Sequence, residues 1–365
     1  MKNMYRADVI GSMLRPKYLL GAREQYAAGK MSDVEFKRIE DRAVDECLAI
    51  QERAGVDIVT DGEMRRDHFA SQLFQSTEGF KSIKENIVDW YDKDEHPVKD
   101  KASVGLVSTM RRKRHLCSEE FAYLRGKTKK PIKATLPSPT MYAYYWVPGI
   151  SEAAYPSPQE YLADACNILR DEVTELVRLG VPYIQFDAPE LGMLTDPHQR
   201  EWFAAKGFNP DRMIHDGADM LNDVIKGHPG VMFGLHICRG NDRSRHMASG
   251  SYAAISKIIF SRSKAERLLL EYDDERSGDF APLKDVPEGT TVVLGLITTK
   301  WPREETAEEL EVRIREAAQF MPLEQLALST QCGFASAAAG NAIPYEMQEQ
   351  KLKLVVDVAR EIWNE

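Results

Sequence analysis

Cysteine is scarce and odd in number. The five residues, Cys47, Cys117, Cys166, Cys238 and Cys332, show neither the even count nor the spacing of a disulfide framework, which excludes a stapled secreted scaffold and suits a reducing compartment. Long apolar runs are also missing: nothing approaches the ~18 consecutive residues of a membrane span, and Met1-Lys2-Asn3-Met4-Tyr5-Arg6 has no apolar signal core. A soluble, cytoplasmic protein with no membrane contact is the expectation. Positive charge is in deficit, with 48 basic against 57 acidic residues and a net charge of −9, so a nucleic-acid backbone is a disfavoured partner. The one basic cluster, Arg111-Arg112-Lys113-Arg114, reads as a solvated face. No low-complexity or Pro-rich linker divides the chain, and 365 residues at 43% hydrophobic can bury one large core, which predicts a single domain over 1–365 and leaves self-association open.

What is present is an alternation of strand and helix. Apolar runs at Ala7–Ser12, Val56–Asp61, Ile132–Pro137, Tyr183–Phe186, Val231–Cys238, Leu268–Glu271, Thr291–Leu296 and Leu326–Cys332 read as eight strands. Between them, helical spacing predicts Tyr18–Ala28, Asp33–Ala54, Ser118–Gly126, a helix after Ser157-Pro158 to Leu179, Asp211–Ile225, Tyr252–Phe260, Ala307–Phe320 and Pro344–Trp363. Eight such units argue for an α/β protein of the (β/α)₈ TIM-barrel class. Residues 69–101 show no clean period, Ala102–Met110 reads as an extra strand, and the stretch of about 70–130 is taken as an excursion inserted after strand two.

A barrel of this kind carries its chemistry where strands end and loops begin. Here the strand ends deliver Ser12, Glu63, Pro137, Asp187, His236 with Cys238, Glu271, Lys300 and Cys332. On a strand, side chains two apart project together, so His236 and Cys238 face the same way. Cys47 and Cys166 lie in helical patterns and read as structural. His236, Cys238, Glu271 and Cys332 would complete a tetrahedral zinc shell. Such an anionic centre is a poor water activator and a good holder of an incoming thiol, which loses its proton on binding. Glu271, the hardest ligand, could yield its place to that sulfur. Glu63 and Asp187 would hold an ammonium group, and Tyr142, Tyr145 and Trp146 would shape a pocket for the alkyl donor.

The motifs Gly11-Ser12 with Arg15-Pro16, Asp61-Gly62-Glu63, Leu136-Pro137-Ser138-Pro139-Thr140, Asp187-Ala188-Pro189-Glu190, His236-Ile237-Cys238-Arg239-Gly240-Asn241, Glu271-Tyr272-Asp273 and Gln331-Cys332-Gly333 run along almost the whole chain. In them the sequence resembles the catalytic C-terminal barrel of cobalamin-independent methionine synthase, within the zinc barrels that alkylate thiols and include epoxyalkane:coenzyme M transferase. The resemblance implies Zn²⁺ on His236, Cys238, Glu271 and Cys332, and a homocysteine amino-acid end gripped by Ser12, Glu63 and Asp187. We also expect Gly11, Arg15, Arg239 and Asn241 along the substrate. The chain departs from the family in two ways: it has one barrel's length, not two, and Leu296-Ile297-Thr298-Thr299-Lys300 stands where the family places a proton-donating histidine. Lys300 is therefore the candidate acid or anion binder, and the donor is open between a folate, a corrinoid protein and another electrophile such as an epoxide. A non-catalytic zinc or thiol binder is the remaining reading.

Overall fold

The computed structural model describes residues 5–84, 86–101 and 104–364. Its chain makes four short strands, β1 (Thr77–Ser82), β2 (Ile87–Tyr91), β3 (Pro97–Lys101) and β4 (Val104–Arg112), followed by β5 (Lys133–Pro137), β6 (Tyr183–Asp187), β7 (Met232–Ile237), β8 (Arg267–Glu271), β9 (Thr291–Ile297) and β10 (Leu326–Thr330). Strands β5 to β10 form one parallel sheet in sequence order. Two shorter extended segments continue the ring. Asp8 N donates to Leu328 O at 3.0 Å, Asp57 N to Ala7 O at 3.0 Å, and Lys133 N to Val59 O at 2.9 Å, so the first two staves lie between β10 and β5. This is the expected TIM barrel, with only its first two staves too short to count as regular strands.

Helices on the outside cover the sheet because each has one apolar face. Asp33–Ala54 starts at a reciprocal Ser32–Glu35 capping box and stops at Gly55, whose φ of 89° favours glycine. Ser157 caps Pro158–Arg178, and Thr306 with Glu309 boxes the start of Ala307–Ala317. The expected helix at Tyr252–Phe260 is instead a 3₁₀ turn, Tyr252–Ala254, leading into Ser256–Arg262. The last helix starts at Met347, past Pro344. Inside the ring, Ile10, Leu269, Val293 and Ala327 form an apolar layer. A polar chain crosses the interior beside it: Lys133 Nζ bonds Asp8 at 2.8 Å and Gln185 at 2.7 Å, and Gln185 Nε2 donates to Asp187 at 2.7 Å.

The stretch expected to be irregular is ordered. It holds a short helix, Ser71–Ser76, and two antiparallel pairs, β1 with β4 and β2 with β3. Charged residues such as Asp89, Lys99 and Asp100 interrupt its five-residue strands and hide the period of two. The strand read at Ala102–Met110 runs from Val104 to Arg112; Ala102 and Ser103 lie outside the described residues. The barrel pattern resumes at the helix Ser118–Arg125.

The β2–β3 hairpin lies against two barrel loops. Asp100 accepts from Arg243 and Arg245, each at 2.8 Å, and Tyr91 and His246 exchange backbone hydrogen bonds at 2.7 and 3.0 Å. On the other side His198 Nε2 meets Asp89 at 2.9 Å and Lys206 Nζ donates to Asn86 at 2.8 Å.

Candidate active site

At the C-terminal ends of the barrel strands lies a cavity of about 350 Å³. Its floor comes from strand ends, with Gly11, Ser12, Glu63, Asp187, His236, Cys238, Asn241 and Cys332 among the lining; its roof comes from the excursion, through Val88, Trp90, Asp100 and Val104. The excursion was expected over one end of the fold; that its residues line the cavity is new.

His236, Cys238 and Cys332 each offer a ligand atom, and these atoms lie within 4.8 Å of one another. All three residues are buried. His236 Nδ1 lies 3.1 Å from Leu269 O, which assigns the proton to Nδ1 and leaves Nε2 with its lone pair. Nε2 has no partner at hydrogen-bond geometry. Burial works to lower the imidazole's pKa, yet Cys332 beside it raises it overall. The two thiols act on each other: their closeness pushes Cys238 up and holds Cys332, also beside His236, well below the ordinary thiol range. An orphaned imidazole nitrogen facing a sulfur pair of this character fits a borderline-soft cation.

Glu271 does not join this cluster. Its Oε1 lies 3.2 Å from Lys300 Nζ and 3.3 Å from Arg276, and its Oε2 accepts from Arg239 N at 3.0 Å. Burial alone would raise its pKa; Lys300, Arg276 and Arg239 overcome that and bring it down to about 2. Lys300 is thereby spent: fully buried and tied to Glu271, it does not line the cavity as the expected acid would.

Asp187 faces the cavity without a cationic side chain at hydrogen-bond distance, and burial raises it to about 7 against the smaller opposing effect of His236. Across the sheet it pairs in register with His236. Glu63 is also raised by burial, with Arg66 and Arg15 pulling the other way. It sits at φ 55°, a strained conformation for a residue with a side chain, and its Oε2 is buried without a partner. Ser12 and Gly333 approach so closely that a Cβ on Gly333 would stand 2.0 Å from Ser12 Oγ. Only glycine permits that contact between the first and last staves.

Several expected substrate contacts do not reach the cavity. Arg15 is buried and donates to the backbone oxygens of Met13, Ala335, Glu63 and Arg66, so it clamps loops. Arg239 bonds Ser277 at 3.0 Å and Thr195 at 2.9 Å, with Tyr252 under its guanidinium at 4.3 Å. Tyr142 packs on Tyr161 and Trp146 is buried beside the same ring. Tyr145 does line the cavity, together with the unforeseen Tyr144, Phe69 and Phe74. The segment is a 3₁₀ helix, Pro139–Tyr145, whose period of three puts Met141 and Tyr144 on one side.

The profile described as the catalytic domain of cobalamin-independent synthase matches residues 6–361. The chain belongs to this family. Among its relatives, the uncharacterized protein YxjH of Bacillus subtilis is 33% identical over 99% of this chain and 96% of its own. The methionine synthase of Pyrococcus abyssi is 26% identical over 98% and 94% of the two chains. Among solved structures, a vitamin-B12-independent methionine synthase candidate from Listeria monocytogenes superposes with a TM-score of 0.75 at 28% identity, covering 99% of this chain and 98% of that one. A B12-independent methionine synthase from Shewanella, solved with selenomethionine, has the same TM-score at 22% identity and supports the fold. Family membership makes this a methyltransferase-like protein of the methionine synthase group. Among the described residues, no helix is long and apolar enough to cross a membrane.

Proposed function

We propose that the protein is a zinc-dependent thiol S-methyltransferase that converts homocysteine to methionine. The observation that carries this is the buried His236 Nε2, partnerless and converging with Cys238 and Cys332 on the floor of the cavity. Zinc held by these three residues, with its fourth position open to the incoming thiol, would supply the Lewis acidity that turns a thiol into a thiolate near neutral pH.

The remaining work falls to the chain. Asp187 is a buried carboxyl without a cationic partner, and Glu63 is paired with Arg66 at 3.4 Å through Oε1 only, its Oε2 being free, so an ammonium group entering between them would offset the burial penalty that raises both. Gln185 fixes the Asp187 carboxylate from below, and Thr135 donates to Glu63 at 3.0 Å. Ser12 and Asn241 border the same floor. Val88, Trp90 and Val104 of the roof cover the floor with apolar side chains, which would limit the solvent that reaches a thiolate there.

The test is metal and thiol binding before turnover. Native protein should hold about one zinc per chain, and adding homocysteine to cobalt-substituted protein should strengthen the thiolate-to-metal charge-transfer absorption. Cys238→Ser and Cys332→Ser should lose the metal; both variants fully loaded would refute the proposal.

A further inference from the structure

The upper cavity is aromatic and, among the described residues, has no spare cation. Phe69, Phe74, Trp90, Tyr144 and Tyr145 line it, and three of them form a continuous wall, with Phe74 to Tyr145 at 5.0 Å and Tyr144 to Tyr145 at 5.4 Å between centroids. Among the described lining residues, Arg243 is the single lysine or arginine. Its guanidinium is already bound to Asp100 at 2.8 Å and Asp242 at 3.2 Å, and Arg245 bonds the same two carboxylates. An anionic carrier would therefore have to break a closed set of ion pairs to find a partner.

Among the described residues, no acid stands ready for a leaving group either. A tertiary amine departs badly unless it is protonated as the bond breaks. Lys300 is behind the floor, tied to Glu271. Burial lowers His68 to about 4, and its Nδ1 already accepts from Ala70 N, so it is neutral. Burial raises Tyr144 and Tyr145, which makes both phenols weaker acids. Asp187 and Glu63 face the cavity, but in the thiol-methyltransferase reading they are ion-paired with the substrate's ammonium group.

Arg245 already lies over Trp90 at 5.3 Å and Lys206 over Tyr144 at 5.9 Å, so the rings without a protein cation are Phe69, Phe74 and Tyr145; such ring faces are suited to methylated cations, which gain little from a hydrogen-bond donor. We propose that the methyl donor is an onium compound, a sulfonium or quaternary ammonium ion whose methylated centre sits among these rings. This inference rests on the thiol-methyltransferase reading. In the step, a lone pair of the thiolate sulfur forms the new S–CH₃ bond as the methyl-to-onium bond breaks. The pair of that bond stays on the departing sulfur or nitrogen, which leaves neutral and needs no proton. The thiol's own proton has already passed to the buffer.

The experiment uses zinc-loaded full-length protein with homocysteine and four donors carrying deuterated methyl groups: S-methylmethionine, glycine betaine, methyltetrahydrofolate and methylcobalamin. With homocysteine carrying a ¹³C-labelled chain, mass spectrometry of the ¹³C-methionine formed should show deuterium from at least one onium donor, and the first two arms separate sulfonium from ammonium. Label from the folate or the corrinoid with none from either onium compound would overturn the proposal. So would a protein whose cobalt form binds homocysteine while neither onium donor reacts. A protein that binds no thiol would instead bring down the reading of the previous subsection, and this one with it. Independently of turnover, calorimetric titration with trimethylsulfonium should show binding that weakens about tenfold in Phe74→Leu and in Tyr145→Leu; unchanged affinity in the variants that fold would count against the aromatic site.

Discussion

Two buried carboxylates on the same barrel rim, Glu271 at the end of β8 and Asp187 at the end of β6, have been driven in opposite directions. Both are at least nine-tenths buried. Glu271 is surrounded by Lys300, Arg276 and the backbone N–H of Arg239, and its pKa falls to about 2. Asp187 has a glutamine amide and no cation at that distance, and rises to about 7. Burial is common to both, so the counterion decides the difference. The first group is a finished ion pair that anchors loops behind the metal-ligand cluster; the second is an incomplete one that gains stability when a cation arrives. A site for an ammonium-bearing substrate needs the second kind.

The largest effect should come from breaking the finished pair. Glu271→Gln leaves Lys300 and Arg276 without their shared counterion, and in metal-free protein urea unfolding should show a loss of about 3–5 kcal/mol. Lys300→Met in the same chain should restore most of it. A folded-state pKa below the unfolded value gives stability that is full above about 4.5 and disappears as pH falls toward about 2, so the gap between native and variant protein should close over that window. A constant gap down to pH 2 would contradict the assignment. Next in size is Cys332→Ser, which removes a direct ligand and should weaken zinc affinity by more than the ~10–100-fold seen when only a ligand's outer hydrogen-bond partner is lost. Competition with a chromophoric chelator measures it.

This contrast between carboxylates could not be read from the sequence, although the positions could. His236 and Cys238 announce themselves because a period of two on a strand fixes their common direction, and Asp187 and Glu63 because strand ends are easy to find in apolar runs. Lys300 and Glu271 were placed on the correct rim but misread in role, since nothing local shows that two strand ends 29 residues apart will close on each other. Arg15 and Arg239 look like substrate contacts in a motif and prove to be loop clamps, because backbone oxygens leave no trace in sequence. The excursion was expected over one end of the fold, but its strands and its part in the cavity were not legible: β2 and β3 are short, carry charges among their apolar residues, and the hairpin keeps its place through scattered polar contacts with Arg243, Arg245, His198 and Lys206. The TIM barrel itself was legible, since its parallel strands are buried on both faces and read as continuous apolar runs.

The incomplete pair predicts a smaller effect that appears in binding. Asp187→Asn should raise the KM for the amino thiol about 10–100-fold, the range for losing one hydrogen-bonded charge partner, with kcat less affected. In native protein thiol affinity should improve as pH rises through about 7, where the carboxyl ionises, and the Asn variant should lack that step. A variant with unaltered KM and the same pH profile would remove Asp187 from the ammonium site.

Glu190 offers the smallest and cleanest version of the comparison, because it is buried without a cation and lies outside the cavity lining. Ser138 and Thr140 donate to one of its oxygens at 2.5 and 2.7 Å, the other oxygen has no partner, and burial raises the group to about 7 despite both hydroxyls. Its folded form therefore keeps a proton that the unfolded chain gives up near 4.5. Stability from this group is present at low pH and is lost as pH rises toward about 7. Glu190→Gln can accept both hydroxyl hydrogen bonds as the neutral acid does, and it never ionises. The melting temperature of the variant relative to native protein should thus be higher at pH 8 than at pH 5. If the difference were the same at both pH values, burial without a counterion would not be what distinguishes Glu190 and Asp187 from Glu271.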